Sequence, residues 1–163
     1  MRWRRSDDEN CVRLLFLTMP FSYTDSDDDA SLPMIFRATE RGDLQTVKQL
    51  IANDPNVVHE VLETNDQPLH IACWQKFESI VKYLIQAGAN VNSRGDFGAT
   101  PLHYAVYEGD EYSTPIVKAL LNAGADPTLT DSRSSATPSK WAQREHHDGL
   151  AESIRLMKAK MGA

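Results

Sequence analysis

His70 and Cys73 stand three residues apart in "PLHIACW", a spacing that on one turn of helix would offer an imidazole and a thiolate to zinc. No second pair with ligand spacing exists in the sequence, so packing is the simpler reading of both side chains. His146, His147 and Asp148 make the other histidine cluster, and a metal-dependent enzyme built on them is the rival reading of the chain. Adjacent helical residues point about 100° apart and share a tetrahedral ion poorly, so the cluster reads better as an exposed polar turn. Asp25 to Asp29 supply carboxylates for acid–base work but sit in a polar run that reads as a solvating charge stretch. Walker-type glycine loops, G-x-S-x-G elbows and H-E-x-x-H pairs are absent from the sequence. "GDFGAT" holds the letters D-F-G without another kinase element. No catalysis, metal or cofactor is expected.

The elements that would position these side chains are repeated. "PLHIACW" returns 33 residues later as "PLHYAVY", and aligning the motif alanines puts Ala38, Ala72, Ala105 and Ala142 in register. The segments that follow, "GDLQTVKQLIAND", "KFESIVKYLIQAGANVN" and "TPIVKALLNAGADPT", carry apolar residues at i, i+3, i+4 spacing and predict helices. Gly88 and Gly124 are placed for the left-handed backbone that ends a helix. Each unit is therefore helix, tight turn, helix, glycine stop and extended loop.

This pattern resembles the ankyrin repeat over about residues 32 to 160. Thr100, Pro101, Leu102, His103 and Ala105 reproduce the family's Thr-Pro-Leu-His-x-Ala. The second unit departs from it with Gln67 for Thr and Lys76 for the inter-helix Gly, and the end units keep only part of the motif, as capping units do. The resemblance implies an all-α solenoid of about four helix-turn-helix units (32–61, 62–94, 95–130, 131–160) with short β-hairpin fingers. Physically, Thr100 is an N-cap whose hydroxyl accepts from the first turn, and Pro101 at N1 needs no donor. Leu102 and Ala105 then face inward. The resemblance further implies that His70 and His103 tie neighbouring turns together.

With 17 basic against 23 acidic residues the net charge is -6, which disfavours nucleic acid as a partner. Cys11 and Cys73 are too few for a disulfide framework and suit a reducing, cytoplasmic setting. Arg2, Arg4 and Arg5 before "CVRLLFLTMP" superficially suggest a secretory signal, but Asp7, Asp8, Glu9 and Arg13 interrupt it. Residues 1–31 are expected to be a flexible tail, and no stretch reaches the roughly 20 apolar residues of a membrane span.

Protein binding is the function this leaves, by a chain expected to be monomeric on its own. In the family the fingers and first helices line a concave face, and the position two after the motif alanine projects into it. That column holds Glu40, Trp74, Tyr107 and Arg144, with Arg41, Gln75, Glu108 and Glu145 beside it. Trp, Tyr and Arg are the types most enriched at interface hot spots. Glu63, Thr64 and Asp66 fall at one fingertip and Asp96 and Phe97 at the next, and Tyr112 lies in the inserted turn "GDEYSTP". The partner is expected to complement an acidic surface centred on Trp74 and Tyr107. Regulatory adaptors and immunity-type inhibitors that occlude an enzyme or toxin both fit this description.

Overall fold

The computed structural model describes residues 32–107, 113–144 and 147–161, with backbone alone at 153, 156–158, 160 and 161. The expected tail, Glu108 and Tyr112 of the inserted turn, Glu145 and His146 lie outside the described residues.

Among the described residues there are eight α-helices in four pairs and no strand. The pairs are α1 (Met34–Glu40) with α2 (Leu44–Asn53), α3 (Pro68–Trp74) with α4 (Glu78–Gln86), α5 (Pro101–Val106) with α6 (Ser113–Asn122), and α7 (Pro138–Arg144) with α8 (Asp148–Met161). First helices stack on first helices, α1 on α3 on α5 on α7, and second helices form a parallel row behind them. Between the rows lies the core. Ile35, Leu69 and Leu102 recur at one motif position and are all buried, and each of the four motif alanines is buried where its helix meets a neighbour. A larger side chain there would hold the helices apart. The second helices contribute Val47 and Ile51, then Ile80, Val81 and Leu84, then Ile116, Val117, Leu120 and Leu121.

Local chemistry ends each element where the repeat requires. Asp43 caps α2 by accepting the Thr46 N–H at 3.0 Å, and Pro68 and Pro101 occupy the first turns of α3 and α5. Gly88 (φ 92°) and Gly124 (φ 91°) adopt the left-handed stop, after which Ala89 N–H reaches back to Leu84 O and Ala125 N–H to Leu120 O, both at 3.0 Å.

The fingers differ from expectation. Each is a turn rather than a β-hairpin, closed by one bond from Leu62 N–H to Asp66 O, Gly95 N–H to Ala99 O or Asp131 N–H to Ala136 O, at 2.9 to 3.0 Å. Loops this short make that single rung and no strand ladder. These three turns are called fingers 2, 3 and 4 after the helix pairs they precede.

Candidate functional site

Both motif histidines are fully buried and committed. Gln67 N–H donates to His70 Nδ1 at 2.9 Å, and Thr100 N–H donates to His103 Nδ1 at 3.1 Å. The Thr100 hydroxyl lies 2.9 Å from the same Nδ1, completing a reciprocal cap at the start of α5. With Nδ1 accepting, the proton sits on Nε2, which faces Ser93 O at 3.3 Å in the case of His70 and Ala136 O at 3.0 Å in the case of His103. Each ring thereby ties its helix to the loop of the following finger. Burial lowers the pKa of both, that of His103 to about 4, so both rings are neutral at pH 7. Cys73 is buried as well, and burial pushes its thiol far up against the pull of the Lys76 ammonium. Among the described residues no three His, Cys, Asp or Glu side chains group to hold a metal ion.

Asp66 belongs to the core and not to an open fingertip. It is 2% exposed, with Oδ1 accepting from the Tyr104 hydroxyl at 2.8 Å and from Asp96 N–H at 3.2 Å, while Oδ2 accepts from the Thr64 hydroxyl at 2.7 Å. Gly95 makes this possible, since a Cβ there would lie 2.1 Å from Asp66 Oδ1 and 3.0 Å from His70 Nε2. Burial, then the Asp66 charge, raises the pKa of half-buried Asp96.

The column predicted to project outward is brought together as an aromatic ladder. Trp74 and Tyr107 stack with ring centroids 4.8 Å apart and planes 20° from parallel. Trp74 also meets Tyr104 edge-on at 6.1 Å, and Tyr107 meets Trp141 edge-on at 6.2 Å. The sequence reading puts Tyr107 on the open surface, whereas the structure turns it between its neighbours and leaves it 7% exposed. Stacking two large rings one repeat apart covers both facing surfaces, and half-buried Trp74 is the more exposed ring of the pair. Glu40 and Gln75 are half-buried nearby, and Arg41 and Arg144 are exposed at the two ends of the column.

Lys76 explains one departure from the repeat pattern. It stands with φ 60° where a glycine is usual, and its Nζ donates to Tyr104 O, Ala105 O and Tyr107 O at 3.1, 2.9 and 2.8 Å. These carbonyls end α5, where a cation complements the helix dipole. The unusual residue was legible in the sequence, but its reach into the next unit was not.

Farther along, finger 4 is organised by Asp131, which accepts from the N–H groups of Arg133, Ser134 and Ala136, from the Ser134 hydroxyl and from Trp141 Nε1. Burial alone would raise its pKa, but these donors outweigh it and hold the carboxyl below its usual value. Phe97, at the tip of finger 3, is 45% exposed.

A family model described as ankyrin repeats (3 copies) matches residues 35–131, which run from α1 to the start of finger 4. The chain belongs to the ankyrin-repeat family. Palmitoyltransferase AKR1 of Kluyveromyces lactis is 38% identical over 108 residues, 64% of this chain and 14% of that protein. Ankyrin repeat and SAM domain-containing protein 6 of Rattus norvegicus is 36% identical over 105 residues, 64% of this chain and 12% of that protein. A putative ankyrin repeat protein of Rickettsia bellii is 31% identical over 118 residues, 58% of this chain and 48% of that protein. The chain thus spans less than half the length of these relatives. Among its described residues, no helix is long and apolar enough to cross a membrane.

Proposed function

We propose that this ankyrin-repeat chain is a non-catalytic binding module whose protein partner docks on the face made by the fingers and first helices, with Trp74 as the central anchor. The Trp74–Tyr107 stack carries this reading, because it holds a large, rigid, partly exposed ring at the middle of the face. Glu40, Arg41, Gln75, Asp96, Phe97 and Arg144 are the rim of this proposed site; Glu108 and Tyr112, expected there from the sequence, lie outside the described residues. Committed, neutral histidines support a structural role for the motif, and this chain matches only 14% of the length of the Kluyveromyces lactis palmitoyltransferase. A monomeric state and a reducing, cytoplasmic setting complete the proposal, the setting alone being supported by the free, buried thiol of Cys73.

The test is quantitative affinity capture from native lysate with the wild type, Trp74→Ala and a control, Lys82→Ala, on exposed α4 surface. A specific partner should be retained by Lys82→Ala and lost on Trp74→Ala, with roughly 2 kcal/mol or more of affinity removed in the purified complex. Thermal unfolding must show Trp74→Ala still cooperative; otherwise Trp74→Phe replaces it, with a smaller expected loss. Undiminished capture by a folded Trp74 variant would place the interface elsewhere.

A further inference from the structure

We propose that the tips of fingers 3 and 4, together with α7, form a cationic seat for an acidic peptide segment, with Phe97 as its apolar contact. This deepens the binding reading and rests on it, since it names the chemistry of the partner at one end of the same face.

The seat is built by contacts across two units. Phe97 holds φ 47° and ψ 29°, a left-handed conformation that is strained for a bulky residue. Finger 4 fixes it there: Ser132 donates its N–H and its hydroxyl to Phe97 O at 2.8 and 2.6 Å. The ring is thereby presented outward, and the Arg133 guanidinium lies 5.1 Å from its centroid. On one flank Arg94 Nη1 donates to Gly98 O at 2.7 Å and to Thr130 O. Arg144 of α7 reaches finger 4, where its Nη1 donates to Ser134 Oγ at 3.3 Å.

Charge decides what fits. The bonds made by Arg94 and Arg144 go to carbonyl and hydroxyl oxygens, which orient a guanidinium without neutralising it. Asp131, the carboxylate of finger 4, is 3% exposed and turned into its own loop. Asp96 is half-buried and interacts with Arg133, whose charge it offsets in part. Three exposed arginines, Arg94, Arg133 and Arg144, therefore stand on the fingers and helix that carry this exposed aromatic, in a chain whose net charge is -6. The acidic surface expected from the sequence is centred on Trp74 and Tyr107, whereas at this end complementarity calls for carboxylates flanking an apolar side chain. A polypeptide suits the seat better than nucleic acid. Stacked bases need a row of open rings, and among the described residues of the seat Phe97 is exposed while Trp141 is half-buried and Tyr107 is covered.

The probe is a short fluorescein-labelled peptide of Glu and Asp with one central Leu, titrated against the full chain and followed by anisotropy and amide chemical shifts. Shifts should centre on Phe97, Ser132 to Ser134 and Arg144, and affinity should fall as salt rises. Arg133→Glu with Arg144→Glu should weaken binding about tenfold, and Phe97→Ala about threefold. Should the double variant lose cooperative unfolding, Arg144→Glu alone decides, with about threefold expected. Unchanged affinity in the folded charge variants, equal binding of the Gln/Asn version of the peptide, or tighter binding of oligothymidylate would overturn the proposal. If the acidic peptide fails while capture remains Trp74-dependent, the seat is wrong and the binding face stands.

Discussion

Fingers 3 and 4 solve one problem from two directions. Tyr104 and Trp141 occupy the same motif position, just before Ala105 and Ala142, and each offers its polar tip to a buried carboxylate. In finger 4 the carboxylate is local: Asp131 begins the turn and accepts from three amides within it. In finger 3 the corresponding residue is Gly95, which has no side chain, and Asp66 of the preceding finger fills the space and takes the Asp96 amide. The histidines follow the same division. His70 and His103 reach the next finger, whereas exposed Lys140 stands at their position in α7. Interior units thus borrow polar partners across the stack, and the last unit satisfies itself. Borrowing couples neighbours, so damage at an interior finger should spread and damage at finger 4 should stay local.

The largest effect expected from breaking this arrangement is at Gly95. Gly95→Ala should cost about 3 kcal/mol or more in urea unfolding, because the new methyl meets Asp66 Oδ1 and the rigid His70 ring. In an Asp66→Ala background the same change should cost at least about 1 kcal/mol less. Strict additivity of the two substitutions would show that Asp66 does not fill the space Gly95 leaves.

Next in size is the histidine tie, which is sensitive to acid. The folded pKa of His103, about 4, lies below the ordinary 6.5, so as pH falls the unfolded chain takes up its proton first. Stability present above pH 6.5 should therefore decline toward pH 4, by roughly 2 kcal/mol between pH 7 and pH 5, with buried His70 acting in the same direction. Urea midpoints across that range provide the measurement. A flat profile would mean that His103 is protonated in the fold. Lys140→Ala, at the equivalent position of the last unit, should change neither stability nor its pH dependence.

The smallest effect separates coupling from local support. Tyr104→Phe and Trp141→Phe should each cost about 1 kcal/mol. Amide exchange should quicken in fingers 2 and 3 for the first and in finger 4 alone for the second. Equal spreading in both variants would erase the distinction between the fingers.

Much of this molecule was readable before any coordinates. The repeat period, the apolar face of each second helix, the prolines that open α3 and α5 and the glycines that close α4 and α6 are consequences of local stereochemistry, which a single sequence carries. Phe97 at a fingertip was legible for a related reason, since a short finger has no core of its own to receive the ring. Only the tertiary structure decided the rest. It buried Asp66, turned Tyr107 beneath Trp74, sent Lys76 to the carbonyls of the next unit and gathered Arg94, Arg133 and Arg144 around Phe97. The polar contacts of Asp66 and Lys76 join residues about 30 positions apart, and their partners depend on how one unit is offset against the next. That offset is set by the summed packing of whole helices, and a motif describes only one unit at a time.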